Sequence, residues 1–503
     1  RVPAGTRLKG DTLKLETYLP YKNSIFIKSD RYHMPNLVKN STIYALGDIL
    51  PKLFSFITFP ILTSYLTPAE YGILNYVNTL NVFLLVFSVL CLNTYYLVYY
   101  YRQKNEEERQ KLLGNLSVFI VGINVFVSIL AYLLGYYFAD IFQNEISFYP
   151  YIALGIGINF FNVFATLPLA TYRVEEHPLP ITIINVVKSG LIMLLTVILV
   201  VKFEYKALGV LWATLVVTIL FAFWFIILTV KKAKICFDWQ QIKEALFFSL
   251  PLVPGSLAYY LVSMSDRILI ERYVGLTELG IYSTASTLAL LLNIVSMGAY
   301  KAFEPYFFKI YGSDIFLTQF KKIYNAFFFV LLIGVSGLAL FSKEFLKIMS
   351  SEDFLVSYLY VPILLIGVLA SSINLLYGTI LTAQGKTKIN SFISILGGGC
   401  SVILNFMLLP HWGILAACII SAFTFIGMLL VSILCTQVTI SHRRISLTLF
   451  IAISLMIYPI YFMNIESLVL SILLKFAIFI IIGLIAASLL NFNLKKIYGT
   501  IFG

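Results

Sequence analysis

The chain has 503 residues, 60% of them hydrophobic and only 12% charged, and its 36 Lys and Arg against 24 Asp and Glu give a formal charge of +12. A soluble domain averages about 45–50% apolar and about 25% charged residues, so this much apolar surface has no interior large enough to hide in, and a water-soluble protein is excluded. Apolar runs of about twenty residues, each able to cross roughly 30 Å of hydrocarbon, recur along almost the whole length and predict an all-α polytopic membrane protein.

Residues 1–33 stand apart. They are polar and basic, and they lack the run of about 7–15 apolar residues that a secretory signal carries. They are expected to be an extension or artefact, with Met34 opening "MPNLVKNSTIYALGD" as a natural start, and a functional cytoplasmic tail is the alternative. Apolar windows bounded by charges and turn residues then predict helices near 42–66, 71–100, 113–138, 148–172, 178–201, 207–230, 246–272, 276–307, 322–342, 355–383, 389–409, 413–436, 446–463 and 467–490. That makes about fourteen spans. They divide into a first six-helix bundle over 34–238, a second over 239–437, and two further helices with a tail over 438–503.

Loops after even-numbered spans carry Lys104, Arg109 and Lys111, then Lys231, Lys232, Lys234 and Lys243, then Lys309, Lys321 and Lys322, then Lys386 and Lys388, then Arg443 and Arg444. The tail adds Lys495 and Lys496. Loops after odd-numbered spans mostly lack Lys and Arg; Lys202, Lys206, Arg272, Lys343 and Lys347 are the exceptions. Basic loops stay in the cytoplasm, which predicts a multi-pass protein with both termini cytoplasmic. The positive charge then needs no nucleic acid, because such loops face anionic lipid.

A repeat runs through this pattern. "LTPAEYGILNYVNTL" at Leu66–Leu80 returns as "VGLTELGIYSTASTL" at Val274–Leu288, with Glu70, Gly72, Ile73, Thr79 and Leu80 matched by Glu278, Gly280, Ile281, Thr287 and Leu288. "ALGVLWAT" at Ala207–Thr214 and "WGILAACI" at Trp412–Ile419 echo each other more weakly. The two copies follow spans one and seven and so share a membrane orientation. That describes a parallel pseudo-repeat of two bundles about an axis along the membrane normal. Two such halves can rock about a central cavity, the geometry of alternating access.

The phrases "NSTIYALGDILPKLFSFITFPILTSYLTPAEYG" and "FSLPLVPGSLAYYLVSMSDRILIERYVGLTELGIYS" resemble those of the multidrug/oligosaccharidyl-lipid/polysaccharide exporter superfamily, and within it the Wzx-type polysaccharide-repeat-unit flippases. The resemblance covers about residues 34–490. It implies a substrate of undecaprenyl-pyrophosphate-linked oligosaccharide, moved from the inner to the outer leaflet of a bacterial inner membrane, with O-antigen, capsule, exopolysaccharide and a teichoic-type polymer all open as the product. A polysaccharide polymerase and a chain-length regulator are the partners it implies besides membrane lipid.

A charge at the bilayer centre costs about 2.5–3.5 kcal/mol on insertion scales and usually faces a cavity or a partner. Lys188 in "ITIINVVKSGLIML" lies near mid-span. Asp266 and Arg267 in "YYLVSMSDRILIERYV" are adjacent and diverge by roughly 100°. Asp48 and Lys52 share a face around Pro51, as do Lys301 and Glu304 before Pro305, at spacings where helical side chains meet. Arg102 and Arg173 sit at span ends among tyrosines. Lys188, Arg267, Lys52, Lys301, Arg173 and Arg102 are the expected substrate-binding cations, since arginine and lysine suit a diphosphate. Asp48, Asp266 and Glu304 are the candidates for coupling or gating, with a proton or sodium as the coupling ion, and passive facilitation stays open beside them. The structural alternatives are Lys188 tied to carbonyls in a packed bundle, Asp266, Arg267, Asp48 and Lys52 in ion pairs, Lys301 and Glu304 snorkelling at the span end, and Arg102 and Arg173 at the interface.

Cys91, Cys236, Cys400, Cys418 and Cys435 form no CxxC, and His33, His177, His411 and His442 are scattered, so no disulfide, metal or cofactor is expected. There is no GxxxxGK[ST] for ATP hydrolysis, and the outer loops are too short to house a catalytic domain. A transporter is predicted rather than an enzyme. The rivals are a cation-coupled drug or metabolite antiporter and, behind it, a membrane enzyme of polysaccharide assembly.

Overall fold

The computed structural model describes residues 34–137, 145–436, 438 and 468–490. Within them the chain is nearly all helical, and eleven helices are long and apolar enough to cross a membrane. The predicted span at 446–463 lies outside the described residues.

The first half begins with α1 (Met34–Tyr65), which carries Pro51 and Pro60 inside it. Proline removes a backbone donor, and hydroxyls work beside each: Ser55 donates to the Pro51 carbonyl at 3.2 Å and Ser64 to that of Pro60 at 2.8 Å. Ile49–Tyr65 within this helix is an apolar stretch. Next come α2 (Pro68–Val89) and the short α3 (Leu92–Tyr99), where a single span was expected over 71–100. The break falls at Leu90 and Cys91, both left-handed at φ +48° and +57°, a rare state for residues other than glycine. Neither glycine nor proline marks it in the sequence.

The half is completed by α4 (Glu106–Tyr137), α5 (Phe148–Val174), α6 (Pro178–Lys202) and α7 (Lys206–Lys232). α1 lies along α6, where Thr182 donates to the Ile43 carbonyl at 2.9 Å and Gly47 gives Thr182 room. α4 turns Phe126, Ile129 and Leu133 outward, as a lipid-facing helix should.

The second half opens with α8 (Trp239–Ser249). Its N-cap Asp238 is gripped by Asn115 of α4, which donates to the Asp238 carbonyl and accepts from its N–H, both at 3.0 Å. Then follow α9 (Val253–Tyr273), α10 (Leu276–Ile310), α11 (Phe316–Met349) and α12 (Val361–Ala383). α13 (Thr387–Thr436) is a helical run of 50 residues, about 75 Å if straight, far more than a bilayer's hydrocarbon. It folds back at Gly413, φ +57°, so that Gly397 faces the Met428 side chain. The two predicted spans 389–409 and 413–436 are its arms. Finally α14 (Leu468–Leu489) packs on α11. Lys475 pairs with Glu344 at 2.5 Å, with side chains only 9% and 14% exposed, and Asn325 donates to the Leu490 carbonyl at 3.3 Å.

The main apolar core runs continuously through both halves, from Tyr76 and Ile156 to Leu279, Phe327 and Tyr377. A smaller core, around Tyr95, Tyr96, Leu116 and Leu167, is built in the first half and takes in Ala245 of α8.

Candidate functional site

The two copies of the repeated segment meet each other. α2 and α10 both begin at one end of the bundle, and they cross there almost backbone to backbone. A Cβ on Gly72 would collide with the Leu276 carbonyl oxygen, and one on Gly280 with the Pro68 carbonyl oxygen. Pro68 and Leu276 occupy matching positions in the repeat, so the contact is the same contact made twice. Such self-complementarity is what a two-fold axis requires. Tyr71 and Thr287 share a hydrogen bond across the seam at 3.2 Å, and the Tyr71 ring packs edge-on against Phe354 at 5.8 Å. Lys206, one of the basic residues that broke the loop pattern, pairs with Glu70 at 3.2 Å at this same end.

Deeper in the seam lies a polar cluster. Asp266 is 6% exposed and accepts from the Tyr282 hydroxyl and, at 2.8 Å, from the Arg267 N–H. The Arg267 guanidinium donates to the Ser263 carbonyl at 3.1 Å and lies 3.8 Å from the Asp266 carboxylate. The adjacent pair predicted to diverge is therefore tied together through the backbone of its own helix, and the Arg267 charge has a counter-charge beside it.

Lys188 has a different setting. On α6 of the first half, its ammonium donates to the Asn162 amide oxygen at 3.0 Å. That partner is neutral, so it orients the lysine without cancelling its charge. Lys188 and Arg267 thus have separate partners on separate halves.

The remaining predicted residues scatter. Glu304 accepts from the Tyr300 hydroxyl at 2.8 Å, which also shares a bond with Thr379 at 2.7 Å, and Lys301 is exposed one turn away. Arg102 is exposed, with its guanidinium 4.5 Å from the Tyr99 ring centre. Tyr99 stacks on Tyr95 at 4.0 Å, and Phe248 of α8 meets both rings edge-on at 5.7 Å. Arg173 and Lys52 are exposed; Asp48 lies on α1, its side chain outside what the structure describes. Sequence reasoning passed over Asn162, Tyr282, Glu145 and Glu271, none of which lies beside its partner in the chain. No group of three or more His, Cys, Asp or Glu that could hold a metal occurs among the described residues.

The same architecture occurs in solved structures. The chain aligns with the lipid II flippase MurJ in its inward closed conformation at a TM-score of 0.74 and 14% identity, over 92% of this chain and all of that one. An inward-facing multidrug resistance MATE family transporter aligns at 0.60 and 15% identity, over 79% of this chain and 94% of the other. By sequence, the capsular polysaccharide biosynthesis protein CapF of Staphylococcus aureus is 24% identical over 400 residues, 76% of this chain and 94% of its own. The MatE family profile matches residues 251–407. The profile described as polysaccharide biosynthesis protein matches residues 37–311, more than half of the length, and to that family this chain belongs.

Proposed function

We propose that the protein is a flippase that carries undecaprenyl-pyrophosphate-linked oligosaccharide repeat units from the inner to the outer leaflet of a bacterial inner membrane. The observation that carries this reading is the seam: two repeated halves touch glycine to glycine at one end, a joint that closes by backbone contact and can part without breaking either bundle. The pattern of basic loops makes that end extracytoplasmic, so the state described is closed to the outside.

In this reading the cargo enters from the cytoplasmic side. Lys188 supplies the first cationic contact for the diphosphate, because its charge is held by a neutral amide. Arg102 on its tyrosine stack offers a guanidinium fork at the mouth, beside rings on which sugars can stack. Arg267 sits next to its own carboxylate and serves the seam more than the cargo. Closure of the inner mouth then parts α2 from α10 and delivers the head group outward.

The MatE match over the second half favours one rival, an antiporter of cationic drugs or metabolites. A cation held near mid-span suits an anionic cargo and repels a cationic one. The deciding experiment deletes the gene and assays which leaflet holds the lipid-linked repeat units. Accumulation on the cytoplasmic leaflet, reversed by the cloned gene, is expected. An unchanged leaflet distribution, with altered sensitivity to cationic drugs, would establish the antiporter instead.

A further inference from the structure

A helix leaves its first backbone N–H groups without partners in the helix, and something must satisfy them. α2 does this with its own residues. The Thr67 side chain accepts from the Glu70 N–H at 3.3 Å, and the Glu70 carboxylate accepts from the Thr67 N–H at 2.9 Å. This is a capping box.

Its repeat partner α10 has lost that device. The residue matching Thr67 is Gly275, which has no side chain and sits at φ +124°, ψ 172°, a region that only glycine enters readily. The cap comes from the opposite half. Glu145, in the connection between α4 and α5, accepts from the Leu276 N–H at 2.8 Å, an anion placed where the helix dipole favours one. The mirror-image bond cannot exist, because the residue matching Leu276 is Pro68, which has no N–H.

Glu145 is itself held from the second half. Glu271, in the last turn of α9 and fully buried, accepts from the Glu145 N–H at 2.9 Å and the Ile146 N–H at 3.3 Å. The residue matching Glu271 in the first half is Thr63, and it too reaches across, donating to the Met349 carbonyl at 3.1 Å. Ile146 is 4% exposed and belongs to the core that contains Leu279 and Tyr282.

We propose that Glu145 and Glu271 form the latch of the outer gate: paired carboxylates, one on each half, whose bonds to backbone N–H groups of the other half exist only while the gate is shut. The absence of a local cap on α10 makes this work. A helix that capped itself would keep that stabilisation whether the halves were together or apart, whereas α10 is capped only in the closed state. Both are positioning residues, and the proposal rests on the alternating-access reading.

The test uses the full chain in nanodiscs, where both faces meet the reagent, with its own cysteines replaced and Ser283→Cys as reporter. Ser283 is 1% exposed and lies one turn from both Gly280 and Thr287. Its modification by a water-soluble maleimide is expected to be slow in the parent. Glu145→Ala is expected to raise the initial rate about five- to thirty-fold, the factor that a lost cap represents, and Glu271→Ala at least as much. Glu145→Gln keeps an acceptor oxygen and should restore most of the slow rate. Glu70→Ala removes the cap of α2 without touching a bond between halves, and should leave labelling unchanged. Parent-like labelling in both Glu145→Ala and Glu271→Ala overturns the latch, and so does equal acceleration in Glu70→Ala. Leaflet transfer of a fluorescent polyprenyl-diphosphate oligosaccharide, measured in parallel, separates the two claims: faster labelling with no transfer by any form keeps the latch and removes the flippase reading.

Discussion

Gly72 and Gly280 each lie where a side chain would strike the backbone of the other's helix, Gly72 against the Leu276 carbonyl and Gly280 against that of Pro68. Backbone cannot rotate aside as a flexible side chain can, so a methyl group here has to push the two helices apart. Overpacking of this kind costs about 1–3 kcal/mol, which would fall on the closed state alone. Gly72→Ala and Gly280→Ala are therefore expected to leave protein level near normal while surface polysaccharide falls steeply. Gly298→Ala, on the same helix as Gly280 with nothing near its Cβ direction, is the control and should keep wild-type output. Measured polysaccharide per unit of protein in the three strains checks this. Normal output from both seam variants would show that the crossing does not matter to transport.

Lys188 and Arg267 look alike in sequence, as basic residues within spans, and the structure separates them. Lys188→Ala removes a charge held by a neutral partner, so it should cut transport at least about tenfold, the effect of losing one charge-assisted bond of roughly 1.5–3 kcal/mol, with protein level unchanged. Asn162→Asp offers a sharper test: it leaves the lysine in place but gives it a carboxylate, and should lose transport too. Arg267→Ala instead strips a counter-charge from buried Asp266 and is expected to lower the amount of folded protein. Immunoblots against polysaccharide assays distinguish the two patterns. Full transport by Asn162→Asp would end the role given to the Lys188 charge.

Much of this architecture was legible beforehand, because it rests on periodic and compositional signals. Apolar runs of span length, the matched segments at Leu66 and Val274, and the basic loops all survive without knowledge of any tertiary contact. The break at Leu90–Cys91 was hidden, since those residues ordinarily sit well in a helix and the bend is set by packing. Asn162 was hidden for a related reason: it meets Lys188 only because α5 and α6 run side by side. The latch left one readable trace. Aligning the two repeats puts Gly275 opposite Thr67 and Leu276 opposite Pro68, which announces a helix that has lost its own cap. Only the structure says that Glu145 supplies it. Glu271 stood inside a stretch already singled out for Asp266 and Arg267, and was passed over because the end of a span is where an exposed charge is unremarkable.

An ionic contact, Lys475 to Glu344, ties the appended helix α14 to α11, with both side chains mostly removed from solvent. Such a pair is poor evidence of net stabilisation, because both ions had to be desolvated. Breaking it is another matter. Lys475→Met leaves a carboxylate enclosed between α11 and α14 with no counter-ion, at a cost of about 3–5 kcal/mol, and should lower the midpoint of thermal unfolding in detergent and the yield of folded protein. Pairing it with Glu344→Met removes the orphaned charge and should recover most of the loss, since apolar replacements of similar volume are often neutral or better. The recovery is the informative part: it would assign the contact to fixing where α14 docks rather than to moving charge. If the double variant regains stability but not transport, the pair acts in the transport cycle itself, and α14 is more than a brace on α11.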